Sequence, residues 1–119
     1  MSTQKIKYTK HSFNKENYWS QELEERIRDQ FAATLSECAI EVQSKLGRID
    51  ILTQEAIYEV KRELNLGNLQ KAIGQLMCYS YCFPNRQKYI VITRNNHSIP
   101  LIVMEVLSSL DIKIIEMNY

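Results

Sequence analysis

Hydrophobic residues recur along this chain with two spacings, and the changes between them predict the order of its helices and strands. Leu23, Ile27 and Phe31 are four positions apart, as in an amphipathic helix. Residues 47–53 and 56–62 are instead rich in β-branched and aromatic side chains, which is typical of strands. The same reasoning along the whole chain predicts helix 18–35, strands 39–43, 47–53 and 56–62, helix 69–82, strand 88–93, helix 100–110 and strand 111–117.

The starts of the helices are predicted from residues that can stabilise a first turn. Ser20 is available to cap the first helix and Asn68 the second, because their side chains can accept hydrogen bonds from unpaired backbone amides. Pro100 can begin the third helix. Ile102 and Val103 leave a strand open for the same segment.

The predicted order α-β-β-β-α-β-α-β indicates an α/β fold in which helices flank a central mixed sheet. The two strands 47–53 and 56–62 support this prediction because they carry apolar side chains on both faces, as in a sheet that is covered twice. One predicted face consists of Leu52 and Ile57, and the other of Ile49, Ile51, Tyr58 and Val60. A length of 119 residues suits one domain with its own core.

Three charged residues lie inside these two apolar strands. Burying Asp50, Glu59 or Lys61 without a partner costs several kcal/mol. If Thr53 and Ala56 close a two-residue turn, the register places Asp50 opposite Glu59, with Cβ atoms about 5 Å apart. A slip of one residue would send Asp50 to the other face. Two carboxylates this close repel each other unless a cation lies between them, and oxygen ligands suit Mg²⁺ or Mn²⁺.

A polar stripe is predicted beside the buried face of helix 69–82. Lys71, Gln75 and Tyr79 follow one another at intervals of four, so they lie along one side of the helix. The predicted buried face consists of Leu69, Ala72, Ile73, Leu76, Ser80 and Phe83. An ordinary amphipathic helix with a polar outer stripe is the alternative interpretation.

These residues resemble the motifs of a known enzyme family. Asp50, followed by eight residues and then Glu59-Val60-Lys61, resembles the signature of the PD-(D/E)XK nuclease superfamily, with Ile49 where a proline is usual. Gln75-x-x-x-Tyr79 is similar to the Q-x-x-x-Y motif of RecB-type nucleases, and residues 47–50 are similar to a Gly-Arg-Ile-Asp segment of small microbial members. Two motifs in the expected order are harder to obtain by chance than either one alone.

The resemblance implies a restriction-endonuclease-like α-β-β-β-α-β core and a cofactor, Mg²⁺, for which Mn²⁺ can substitute. It implies that Asp50 and Glu59 hold the ion, with the backbone carbonyl of Val60 as a further ligand. A glutamate of the first helix commonly joins the metal site in this superfamily, and Glu24 lies at the edge of the apolar helix face. A solvated helix glutamate is an equal alternative for Glu24.

The resemblance also implies roles in catalysis and substrate binding. Lys61 would position the attacking water and stabilise the charge of the transition state, and Gln75 would assist at the site. Lys71, Tyr79 and Arg48 are the predicted substrate-binding residues. An ordinary arginine at a strand end is the alternative for Arg48.

Composition limits how the chain could bind a nucleic acid. The formal net charge is only +1, so binding would depend on a local patch and not on the overall field. Residues 1–16 are predicted to be a basic N-terminal arm, either a solvated tail or a phosphate contact, and residues 17–119 the single nuclease domain. No apolar run has the length of a membrane span and no signal peptide is evident, which predicts a cytoplasmic protein without a membrane partner.

The resulting prediction is a metal-dependent nuclease whose partner is DNA. The small domain favours cutting directed by DNA structure over recognition of a long sequence, and a homodimer is one arrangement for it. One alternative is a non-catalytic nucleic-acid-binding or interaction module that keeps the fold. Another is an unrelated α/β protein in which Asp50, Glu59 and Lys61 form a buried ion network without metal.

Overall fold

The computed structural model describes residues 18–93 and 99–118, with side chains from Leu23 onwards. The predicted arm 1–16 lies outside the described residues. The elements in chain order are α1 (Tyr18–Ala32), β1 (Ala39–Ser44), β2 (Gly47–Leu52), β3 (Ala56–Val60), α2 (Leu66–Cys82), β4 (Gln87–Thr93), α3 (Leu101–Ser109) and β5 (Ile112–Met117).

The five strands form one mixed sheet in the order β1-β2-β3-β4-β5. The first three strands are antiparallel neighbours joined by short turns, whereas β3, β4 and β5 are parallel. Parallel neighbours need a crossover connection, and α2 and α3 supply the two crossovers. The predicted α/β fold with a mixed sheet is therefore confirmed, and residues 101–109 are a helix and not a strand.

Helices cover both faces of the sheet. One face packs against α2 and α3 and contains Ile49, Leu52, Ile57, Ile90, Ile92 and Ile112. The other face packs against α1 and contains Ile51, Tyr58, Val60 and Val91. Among the described residues, no helix is both long enough and apolar enough to cross a membrane.

The face predicted for Ile49 is wrong. It lies in the cluster beneath α2, while Ile51 lies in the cluster beneath α1, so β2 does not alternate regularly between these two positions. The pairing of β1 with β2 passes over Glu41 and Asp50, and Glu41 has a φ of 52°. This irregularity reorients β2 at Asp50.

Two predicted helix caps are also wrong. Ser20 lies inside α1, which begins at Tyr18, so it does not precede the helix. Asn65 caps α2, because its Oδ1 accepts a hydrogen bond of 2.8 Å from the backbone N–H of Asn68. The Asn68 side chain instead donates to the carbonyl of Glu63. The helix consequently begins three residues earlier than predicted, at Leu66.

Candidate acidic site at the parting of two strands

The hairpin of β2 and β3 has the predicted register. Ile51 pairs with Tyr58, Leu52 pairs with Ile57, and the backbone N–H of Thr53 donates to the carbonyl of Ala56 at 2.9 Å. One step beyond the last pair, the strands carry Asp50 and Glu59 in opposite positions. Backbone pairing stops there.

At this point a side chain replaces the backbone pairing. Oδ2 of Asp50 accepts a hydrogen bond of 2.8 Å from the backbone N–H of Val60. The bond satisfies a buried amide that has lost its strand partner, as buried backbone groups require. It also fixes the carboxylate of Asp50 between the diverging strands.

Glu59 and Lys61 form a buried ion pair beside Asp50. Glu59 is 2% exposed and Lys61 is 8% exposed, and 3.5 Å separates Nζ of Lys61 from Oε2 of Glu59. Oε1 of Glu59 is buried and has no hydrogen-bond partner among the described residues. An unsatisfied buried carboxylate oxygen is costly and is available to a ligand.

The electrostatic environment of the pair disfavours two negative charges. Burial raises the pKa of Glu59 well above its ordinary value, and the neighbouring carboxylate of Asp50 raises it further, against the opposing effect of Lys61. Burial also raises the pKa of Asp50, partly offset by the hydrogen bond from Val60. A bound cation would relieve both the desolvation and the repulsion.

Glu24 approaches the same place from α1. Its Oε2 accepts a hydrogen bond of 3.0 Å from the backbone N–H of Arg62, a residue 38 positions away that directly follows the Glu59–Lys61 segment. Burial raises the pKa of Glu24, although this hydrogen bond lowers it. The carboxylate is therefore held against the end of β3 and is not a freely solvated helix side chain.

A cavity of about 200 Å³ opens onto these groups. Its lining consists of Glu24, Glu25, Arg28, Glu41, Arg48, Asp50, Glu59, Val60 and Gln75. The structure thus brings together six of the predicted site residues from α1, β2, β3 and α2. Lys61 and Tyr79 are buried and are not among the lining residues, and Lys71 is exposed on α2 outside the lining.

Gln75 reaches the cavity from α2. Its Oε1 is buried and has no hydrogen-bond partner among the described residues, as with Oε1 of Glu59. An amide oxygen in this position can accept a hydrogen bond from a bound water or coordinate a cation. Gln75 therefore lines the cavity at the site where the sequence predicted it.

Tyr79 does not lie on the outer stripe predicted for it. It is 2% exposed and belongs to the core, and its hydroxyl donates a hydrogen bond of 2.8 Å to the carbonyl of Arg48. Burial, followed by the charges of Glu59 and Asp50, raises the pKa of Tyr79 to about 12. Its visible role is to anchor the start of β2 to α2.

Gly47 makes this close approach between strand and helix feasible. Its φ is 128°, and a Cβ at this position would lie 3.1 Å from the Tyr79 hydroxyl oxygen. Glycine alone combines that backbone angle with the absence of a side chain. Gly47 therefore permits β2 to begin directly against α2.

The sequence reasoning missed three lining residues, Glu25, Arg28 and Glu41. Arg28 follows Glu24 by four positions, so its place on the cavity side of α1 could have been found from the helical spacing. It is 4% exposed, and its Nη1 lies 3.4 Å from Oε1 of Glu41. No sequence pattern indicated Glu41, because its direction depends on the unusual φ of 52°.

The site offers a divalent cation few side-chain ligands. Within residues 18–93 and 99–118, no group of three or more His, Cys, Asp or Glu side chains is arranged to hold a metal ion. Mg²⁺, however, usually binds through one or two carboxylates and keeps several waters. Asp50 and Glu59, with their raised pKa values and the unsatisfied Oε1 of Glu59, fit that requirement.

No family model and no solved structure matches this chain. Over 49 residues, or 41% of its length, the chain is 45% identical to "Putative KilA-N domain-containing protein L33" of Acanthamoeba polyphaga mimivirus. The matched segment covers 19% of that viral protein, so the chain spans about a fifth of its relative's length.

Proposed function

We propose that this protein is a nuclease that hydrolyses phosphodiester bonds of DNA with Mg²⁺ at the Asp50–Glu59 site. One observation carries the proposal: two carboxylates from neighbouring strands converge on one cavity where backbone pairing stops, and burial raises the pKa of both. A carboxylate pair in which Glu59 is buried and Asp50 is partly buried needs compensation, and a divalent cation provides it. Lys61 compensates only one of the two charges directly.

The order of the elements supports the proposal at the level of the fold. The first helix, three antiparallel strands, the α2 crossover and the parallel strand β4 follow the α-β-β-β-α-β order of a restriction-endonuclease-like core. We propose that the chain has this core, with α3 and β5 added at one edge. The two acids then occupy adjacent central strands, where the resemblance requires them.

Each side chain has a chemical role in the proposed reaction. Asp50 and Glu59 would hold the ion, with the Val60 carbonyl and Glu24 as further candidate ligands. When bound, Mg²⁺ lowers the pKa of a coordinated water and neutralises phosphate charge. Lys61 would orient the attacking water and stabilise the negative charge that develops at phosphorus. Gln75 would accept a hydrogen bond from that water through Oε1.

The direct test is incubation of the protein with linear, nicked, flapped and four-way-junction DNA, and with RNA, in Mg²⁺, Mn²⁺ or EDTA. We expect cleavage of DNA that depends on the divalent ion. Lys61→Met should lower the cleavage rate by about 10²- to 10³-fold, the range for loss of one group that stabilises a transition state. Lys113→Met, at an exposed position of β5, is the matched control and should cut like the parent.

The remaining outcomes discriminate among the alternatives. Binding of DNA without cleavage under every condition would favour a non-catalytic module. Calorimetry that detects no Mg²⁺ binding by the parent, and no difference in Asp50→Asn, would favour an ion network without metal. Cleavage by Lys61→Met at the parent's rate would contradict the role of Lys61. The homodimer stays a prediction, to be measured by sedimentation in the same buffers.

A further inference from the structure

Two arginines from separate elements meet at one carboxylate oxygen on the wall of the cavity. Nη1 of Arg28, from α1, lies 3.4 Å from Oε1 of Glu41, and Nη1 of Arg48, from β2, lies 3.2 Å from the same oxygen. The Arg28 and Glu41 side chains are 5% and 11% exposed, whereas that of Arg48 is 42% exposed. The cluster therefore extends from Arg28, which is buried, to Arg48, which is partly exposed to solvent.

The surroundings of Arg28 hold its guanidinium in place. Its Nε and Nη2 both donate to Oδ1 of Asp29, at 3.0 and 2.8 Å, while Nη1 faces Glu41. Asp29 is 60% exposed and lies on the solvent side of this contact. A guanidinium fixed in this way presents a preorganised edge to the cavity.

Glu41 reaches the arginines through an unfavourable backbone conformation. Its φ of 52° is uncommon for a residue with a side chain, and the β1–β2 pairing is interrupted at Glu41 and at Asp50 opposite. Such conformations are concentrated at ligand sites. Here it places a carboxylate between two guanidinium groups, in the cavity that also contains Asp50 and Glu59.

We propose that Arg28 and Arg48 form a phosphate site next to the Asp50–Glu59 centre, and that Glu41 occupies it until a phosphodiester group of DNA displaces its carboxylate. Guanidinium groups bind carboxylate and phosphate oxygens with the same forked geometry, so one anion can replace the other. The choice of DNA as ligand rests on the proposed function. The geometry of the anion site does not.

In the proposed site, the carboxylate of Glu41 competes with DNA for both arginines. Glu41 therefore inhibits DNA binding, and anions that bind weakly do not displace it. Removing its charge without changing its size should tighten DNA binding. Removing either arginine should weaken binding and reduce its dependence on salt.

The test is DNA binding measured by fluorescence anisotropy with a labelled duplex oligonucleotide at several salt concentrations. All variants carry Asp50→Asn and are kept in EDTA, so that cleavage does not interfere. Glu41→Gln should tighten binding by about threefold or more, and Arg48→Met should weaken it about tenfold, as expected for loss of a charge-assisted hydrogen bond. The salt slope of Arg48→Met should fall by about 1.

Matched controls separate the site from general charge effects. Arg26→Met and Glu25→Gln make the same charge changes on α1, the first at an exposed position outside the cavity and the second within its lining. Arg26→Met should bind like the reference, and Glu25→Gln should tighten binding less than Glu41→Gln does. Arg28→Met tests the buried arginine of the site. Because this substitution can unfold the chain, thermal melts first show whether the variant folds. If it does not fold, the result for Arg48→Met, at the more exposed position, decides the question.

Specific outcomes would overturn the phosphate site. It fails if Arg48→Met binds like Arg26→Met, if Glu41→Gln gains no more affinity than Glu25→Gln, or if neither the reference nor Glu41→Gln binds DNA. The proposed nuclease fails separately. If the parent never cuts DNA but the binding pattern holds, the arginine site stands alone, whereas cleavage with unaltered binding in the variants removes only the arginine site.

Discussion

At the residue scale, Asp50 both completes the hydrogen bonding of a strand and contributes to the electrostatics of the site. Its carboxylate accepts the Val60 N–H where β2 and β3 separate, so it substitutes for a strand partner. The same carboxylate lies beside Glu59, whose charge is disfavoured by burial and by this neighbour. The carboxylate of Asp50 thus satisfies the backbone N–H of Val60 but also raises the pKa of Glu59, and this electrostatic effect can be measured.

The first prediction at this scale concerns pH. A carboxyl group whose pKa is higher in the folded chain than in the unfolded chain favours folding at low pH, and that contribution is lost as pH rises through the raised pKa. In EDTA, the parent should therefore lose stability relative to Glu59→Gln as pH rises above the range in which an unfolded glutamate titrates. Urea unfolding of both proteins at each pH measures this difference.

Divalent ions provide the control for that experiment. Adding Mg²⁺ at the upper pH should restore stability to the parent but not to Glu59→Gln, because a ligand that binds the folded state stabilises it. Parallel pH curves for the two proteins in EDTA would contradict the raised pKa of Glu59.

A second prediction concerns Tyr79. Tyr79→Phe removes the hydrogen bond to the Arg48 carbonyl inside the core and should lower the free energy of unfolding by about 1 kcal/mol or more. Tyr81→Phe, on the same helix at a position 85% exposed, should change it very little. Denaturant unfolding measures both. A large loss of DNA affinity in Tyr79→Phe with unchanged stability would instead favour the substrate-binding role predicted from the motif.

At the scale of elements, helix and strand ends were shifted by local hydrogen bonds that periodicity does not specify. The apolar spacing of α2 is clear only from Leu69, yet the helix begins at Leu66 because Asn65 caps it. Likewise, α1 ends at Ala32, three residues before the predicted end, and the N–H groups of Thr34 and Leu35 bond to carbonyls three positions back. Capping thus determined where the elements begin and end, while apolar spacing determined that they exist.

The prediction at this scale compares two asparagines. Asn65→Ala removes the cap of α2 and should lower the free energy of unfolding by about 1 kcal/mol. Asn68→Ala removes one exposed hydrogen bond to the Glu63 carbonyl and should cost less. Thermal or urea unfolding of the two variants gives the comparison, and the reverse order of stabilities would restore Asn68 as the cap.

At the scale of the whole molecule, the sheet joins an antiparallel half to a parallel half. β3 belongs to both halves, because it pairs antiparallel with β2 and parallel with β4. The site lies on the antiparallel side, where β2 leaves β3, while β4 continues along the other edge of β3. The continuous pairing with β4 therefore holds β3 in place at the positions where β2 has separated from it.

This arrangement predicts an order of stability within the sheet. Amides of β4 have strand partners on both sides and side chains that include Ile90 and Val91 at 0% exposure, so they should exchange hydrogen slowest. Amides of the edge strands β1 and β5 should exchange at least about tenfold faster. Hydrogen exchange followed by NMR measures this, and equal protection of β4 and β5 would contradict it.

Periodicity and turn length alone established the α/β class, the order of the elements and the opposition of Asp50 and Glu59. These features depend on spacing within one element or across one short turn, which adjacent residues determine. The contacts of Glu24 with Arg62 and of Tyr79 with Arg48 join residues 38 and 31 positions apart, and the meeting of Arg28 with Arg48 at Glu41 depends on one distorted backbone angle. Spacing shows which side of an element is buried, but only packing decides which element covers that side and where the backbone must bend to allow it.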